Sequence, residues 1–307
     1  MTDFSSPEAE TLSTPSTKKR YMLVVLKTIF TIGALYFVFS RTDFSTITSH
    51  LRDIQLGYMF AAFVALTISQ IVSGMRMRHY FASAGYTFSP FFCISIYFVG
   101  AFFNIVLPGG ISSDRYKAWL LKRHFQIPIL RSLRLILSER ANGLFLLLIY
   151  ALGFAALGTI VPRFSRGLTL LEMAFLLLVP VYFLSVRLVL KEHFQTSIKA
   201  CMFSAISQGF IALCAFLIFQ GLSIGEAIFD YQSLFMISCV VAIIPVSIGG
   251  AGMRELTFFY GLPLAGLDVE AGIAAALLFF VVHVSTSLIG LAFWGRIRPQ
   301  DAEALTH

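Results

Sequence analysis

Eight stretches of this chain are apolar for close to the length of a membrane crossing: 21–39, 56–74, 90–107, 141–160, 170–190, 200–220, 231–248 and 269–294. About 20 residues of α-helix span the roughly 30 Å hydrocarbon core of a bilayer. Such a chain has few ways to fold. Without water to bond to, a backbone in lipid must satisfy its own N–H and C=O groups, so runs of this length are helices. Composition agrees, with 57% hydrophobic and 13% charged residues and a mean hydropathy of +0.82; soluble domains carry roughly 25% charge. The expected fold class is all-α, a polytopic integral membrane protein with seven to eight transmembrane helices.

Two of the runs are interrupted. One closes on "NIVLPGG" and another on "IPVSIGGAGMREL", residues 244–256. Basic residues favour the cytoplasmic side of a membrane. If all eight runs cross with the N-terminus inside, 9 loop and tail Lys and Arg fall inside and 13 outside. If 90–110 instead dips in and returns, the loop 111–140 becomes cytoplasmic and the count is 16 inside against 6 outside. At least one re-entrant hairpin and a cytoplasmic N-terminus are therefore expected. The side of the C-terminus depends on whether 249–268 crosses. Residues 127–140 alternate basic and apolar at helical spacing, which fits either an interfacial helix or an extension of the next span.

The organisation that follows is a disordered cytoplasmic tail at 1–20, a transmembrane region at 21–294 and a short polar tail at 295–307. The tail at 1–20 is rich in Ser, Thr and Pro, and nothing after the first run resembles a cleavage site, so that run is read as a retained span. The net charge of +7 sits in short loops, where it orients helices and meets anionic lipid; nucleic acid is not implied.

Both breaks, 104–114 and 245–255, carry a proline and a Gly-Gly, followed by an acid and a base. Irregular backbone at membrane depth survives only against protein or a wet cavity. Breaks in corresponding halves are a pointer to a transporter's binding site, although no close sequence match relates the halves here. Glycine turns and half-helix N-termini offer N–H groups to phosphate. Arg254 can add a bidentate contact to phosphate oxygens, while Asp114 and Glu255 either hold that base or meet a cationic headgroup.

"NIVLPGGISSDRYKAWLL" (104–121), "SERANGL" (138–144) and "IPVSIGGAGMRELTFF" (244–259) resemble the three signatures of the lysylphosphatidylglycerol synthase transmembrane region. This flippase-like family also occurs as stand-alone membrane proteins, and the resemblance spans 21–294. It implies a substrate site at Asn104, Pro108, Gly109, Gly110, Asp114, Lys117, Glu139, Arg140, Pro245, Ser247, Gly249, Gly250, Gly252, Arg254 and Glu255. At Lys117 the family more often has Arg. The function implied is a lipid flippase of the inner membrane, moving a phospholipid or related lipid between leaflets, with no cofactor and no metal. Its partners would be membrane lipids, through phospholipid headgroups, with a homo-oligomer or a lipid-synthesis enzyme as a further association. The aminoacyl-transfer domain of the full synthases does not follow 294 within these residues, so a transporter is expected rather than an enzyme.

Two other functions stay open: a membrane-embedded enzyme acting on a lipid headgroup, with Asp114 or Glu139 as acid or base, and a non-catalytic partner of a lipid-synthesis complex. Cys93, Cys201, Cys214 and Cys239 lie in apolar runs without metal or disulfide spacing and read as packing residues. "GLSIG" (221–225) lacks the strand–turn–helix setting of a nucleophile elbow, and no nucleotide or zinc-protease motif occurs. Lys27 and His283 lie inside apolar runs, where each either packs or faces a cavity.

Overall fold

The computed structural model describes residues 17–52, 54–106, 112–159, 167–189, 194–244, 246–247 and 249–294. Pro108, Gly109, Gly110 and Pro245 lie outside the described residues, as do 1–16 and the tail 295–307. Regular structure in the described residues is helical. The order is α1 (Thr17–Arg41), α2 (Phe44–Arg52), α3 (Leu56–Ser83), α4 (Pro90–Val106), α5 (Ser112–Phe125), α6 (Ile129–Leu157), α7 (Gly167–Val189), α8 (Phe194–Gly221), α9 (Ile228–Val241), α10 (Met253–Ala265) and α11 (Val269–Trp294). The apolar runs dictate most of this. Among the described residues, α3, α6, α8 and α11 are long and apolar enough to cross a membrane, and α1 with α2, bent by 95°, makes a fifth if counted as one span. The protein is thus a polytopic, all-helical membrane protein.

At the centre α3 crosses α8. Their facing surfaces are built from small residues, Ala62, Ala65, Ser69 and Ser73 against Ser204, Ser207, Ala212 and Ala215, all buried. Small side chains let two backbones approach without a hydrophobic drive, which lipid cannot supply. Ser69 and Ser207 donate to each other's carbonyls, at 3.0 and 3.3 Å. Leu176, Leu177, Val181, Leu184 and Leu188 of α7 stay exposed, as lipid-facing residues should.

The two interrupted runs fold as antiparallel helix pairs. In the first, the end of α5 returns to the start of α4, with the Phe125 ring 5.1 Å from Phe88 and 5.3 Å from Phe92. In the second, the Tyr231 hydroxyl at the start of α9 donates to the Asp268 carbonyl just past α10, at 3.0 Å. At 17 and 14 residues, α4 and α9 are about 26 and 21 Å long. The stretch 127–140 settles as the opening turns of α6: Leu135 and Ile136 are buried in the cluster around Met77, Phe81 and Phe92. It is an extension of the span, and its exposed Arg131 reaches the Ala84 carbonyl at 3.2 Å.

Candidate functional site

The "SERANGL" stretch lies on α6, where successive residues point about 100° apart. Glu139 and Arg140 therefore take different partners. Glu139 faces α3 and accepts from Arg76, through Nε at 2.7 Å and through Nη2; the two side chains are 2% and 4% exposed. Arg140 turns towards α5 and grips Asp114 with both ends of its fork, Nε to Oδ2 at 2.8 Å and Nη2 to Oδ1 at 2.9 Å. The neighbouring motif residues complete the seam. Asn142 donates to the Tyr182 hydroxyl at 2.6 Å and the Ser197 carbonyl at 2.9 Å, and accepts from Ser204. Ser204 in turn accepts from Arg76 Nη1 at 2.9 Å. A Cβ on Gly143 would stand 3.0 Å from that same Nη1, so glycine makes room for the guanidinium.

Lys117 lies three residues beyond Asp114, one turn on along α5. It is 4% exposed, with Nζ 4.3 Å from the centre of the Tyr97 ring. Its stem lies where a Cβ on Gly100 would be. Asn104 is half-buried near the end of α4.

The second break is a glycine turn. Gly249, Gly250 and Gly252 have φ of 60°, 83° and 83°, a region that a Cβ makes costly. The turn starts α10 by half a capping box: the Gly252 N–H donates to Glu255 Oε2 at 2.6 Å, which satisfies an otherwise orphaned helix-end donor. Glu255 is thus committed to the backbone and does not hold Arg254. Arg254, 8% exposed, lies over the Phe279 ring at 4.8 Å and donates from Nη1 to the Gly249 carbonyl at 3.2 Å. Its Nε and the Ser247 hydroxyl are buried without a hydrogen-bond partner. His283 stacks on Phe279, its ring centre 6.1 Å away. Lys27 is buried on the α1 face that also carries Thr31 and Ala34, and a Cβ on Gly252 would touch Ala34. That places Lys27 about two helical turns from the break.

The two breaks meet. A Cβ on Gly249 would stand 3.8 Å from the Ile105 side chain, at the end of α4. Two buried cations, Lys117 on the first helix pair and Arg254 on the second, pair with no carboxylate among the described residues. A profile of the lysylphosphatidylglycerol synthase TM region matches residues 24–290. The chain belongs to this family. No other family matches within its 307 residues, and no curated protein matches the chain. In this member of the family, Asp114, Ser247, the three glycines, Arg254 and Glu255 lie in the two interrupted segments, Arg140 joins the first of them to α6, and Glu139 joins α6 to α3.

Sequence reasoning missed Arg76, Asn142, Ser204 and Tyr182. Arg76 carried a signal: it falls just past the run 56–74, so that run read as a span ending before it. Extending the span by one turn puts a charge in the membrane interior, which calls for a partner.

Proposed function

We propose that this chain carries a phosphate-bearing lipid between the leaflets of the membrane, its headgroup passing the contact between the two breaks while the acyl chains stay in lipid. Family membership supports a role at the membrane lipid. One observation carries the reading further: Lys117 and Arg254 are buried cations that pair with no carboxylate among the described residues, and Arg254 Nε and the Ser247 hydroxyl are each buried without a hydrogen-bond partner there. A buried charge left this way is costly, so it calls for an anionic ligand. In place of seven or eight crossings, the reading has six (α1, α3, α6, α7, α8 and α11), with α4–α5 and α9–α10 as re-entrant hairpins. Exposed Lys122, Arg123, Arg131, Arg134, Arg187 and Lys199 gather at one end of the bundle, against Arg41 and Arg52 at the other. By the positive-inside rule the first end is cytoplasmic, and the start of α1 and the end of α11 share it.

The enzyme reading finds less support. Asp114 and Glu139 are each occupied by an arginine, which leaves neither free as a general acid or base. The test is leaflet exchange of fluorescent phospholipids in liposomes containing the full chain, wild type beside Arg254→Gln. Exchange in the wild type that falls roughly tenfold or more in the variant, the loss of one charged hydrogen bond at about 1.5–3 kcal/mol, is expected. Equal exchange in both, or none in either with anionic and zwitterionic lipids, would refute the proposal.

A further inference from the structure

The helix bounds repeat. Adding 138, the separation of the crossing residues Ser69 and Ser207, to the bounds of α3 gives those of α8 residue for residue, and adding it to the start of α4 gives the start of α9. The starts of α5 and α10 differ by 141, and those of α6 and α11 by 140, so two or three residues are inserted at the second break.

Contacts repeat with the bounds. Gly74 of α3 meets the backbone of Ile94 on α4, where its Cβ would stand 2.9 Å from the Ile94 Cα. At the equivalent place Gln232 of α9 donates to the Ala212 carbonyl of α8 at 3.0 Å. Phe91 of α4 lies against Phe293 of α11, ring centres 5.7 Å apart; Phe229 of α9 lies against Phe154 of α6 at 6.3 Å. Each hairpin thus packs on the last helix of the other half. The reciprocal Ser69–Ser207 hydrogen bonds are what a two-fold axis through the middle of both 28-residue helices produces.

The two halves run in opposite senses. Tyr80, near the end of α3, donates to Ser197, near the start of α8, at 3.1 Å. At the other end of the bundle the Gln55 N–H, just before α3, donates to the Gly221 carbonyl closing α8, at 3.3 Å. The first hairpin begins and ends beside Phe88 and Phe125 at the Tyr80 end; the second begins and ends beside Tyr231 and Asp268 at the Gln55 end. They enter from opposite faces and touch at Ile105 and Gly249.

The chemistry of the halves differs although the backbone repeats. Where the first half has Arg76 and Glu139, the second, by the offsets above, has Cys214 and Phe279. On one side of the Ser69–Ser207 crossing lies the polar seam of Arg76, Glu139, Ser204 and Asn142; on the other lies a dry cluster with Leu66, Ile218, Phe219, Phe235 and Phe279. The α3–α8 seam is therefore polar on one side of its crossing point and apolar on the other.

We infer that residues 56–157 and 194–294 form an inverted repeat, and that the place where the two opposed hairpins meet, at Ile105 and Gly249, opens to the two membrane faces in turn, as the halves exchange their packing. The alternation rests on the transporter reading; the inverted topology does not. Inverted repeats with broken helices meeting near the bilayer midplane carry out alternating access by rocking one repeat against the other.

The experiment uses single-cysteine variants of the full chain, labelled with a membrane-impermeant thiol reagent in intact cells and in inverted vesicles. Gln126→Cys, at the exposed end of the first hairpin, should label only from one face, and Glu226→Cys, at the exposed start of the second, only from the other. Val246→Cys, at the second tip, should label from both. Adding a disulfide between Phe154→Cys and Phe229→Cys, which ties the second hairpin to α6 near the Gln55 end, should cut its labelling from that end roughly tenfold and leave the other. Labelling of Gln126→Cys and Glu226→Cys from the same face overturns the inverted repeat. Labelling of Val246→Cys from one face only, or unchanged by the tether, overturns the alternation. None of these readouts requires lipid exchange, so a failed exchange assay sinks the lipid proposal alone.

Discussion

Replacing Glu139 by Ala strands Arg76 in the middle of the protein. Arg76 is 4% exposed, and Glu139 lies ten residues into α6, about 15 Å from its start. With the carboxylate gone, the guanidinium keeps the Ser204 hydroxyl on Nη1. Removing one partner of a buried ion pair costs about 3–5 kcal/mol, whereas replacing both by apolar residues is often neutral. A hydrogen bond between membrane helices, by contrast, averages only about 0.6 kcal/mol. The two readings differ enough to measure. In a reversible SDS-unfolding titration in mixed micelles, Glu139→Ala should lower the folding equilibrium by two to three decades, roughly 3–4 kcal/mol. Arg76→Leu with Glu139→Leu should stay within about 1 kcal/mol of wild type. A loss under about 1 kcal/mol in the single variant, or a double variant as poor as the sum of two singles, would refute the claim that an uncompensated charge sets the cost.

Lys117→Met separates stability from function. Lys117 has Tyr97 beneath it and no carboxylate partner among the described residues, so a thioether there should leave the unfolding free energy unchanged or raise it by about 1 kcal/mol, while lipid exchange falls about tenfold. Loss of both together would mean that Lys117 is structural. Gly250→Ala should destabilise by at least about 1–2 kcal/mol, since φ is +83° and the new Cβ would stand 2.8 Å from Arg254 Nη1 and 2.9 Å from Ala242 Cβ. Gly153→Ala in α6, with nothing within 4 Å of its Cβ, should be neutral or stabilising by about 0.5–1 kcal/mol. The same titration checks both, and equal effects would deny the glycine turn its special backbone.

What the sequence determined by itself was the class of the molecule and the place of its irregularities. Lengths of apolar run follow from bilayer thickness and glycine-rich breaks from local backbone rules, so the all-helical membrane fold and the break around Gly249–Gly252 were legible; of the first break, 104–106 and 112–114 are helical and 107–111 lie outside the described residues. In that second break Gly249, Gly250 and Gly252 take positive φ. Partnership was another matter. Glu139 and Arg140 look like a pair in the chain but part company on the helix, one to Arg76 at a separation of 63 residues and the other to Asp114 at 26. Glu255 looks like the partner of Arg254 and instead caps the turn. Such choices are made by which helices touch, and helix contact in lipid depends on small-residue fit and shape, which leaves little periodic trace in sequence. The repeat is the plainest case. Side chains at equivalent positions differ as much as Arg76 and Cys214, so the sequence hides a symmetry that lives in backbone lengths and packing, and only the tertiary structure brings Ser69 against Ser207.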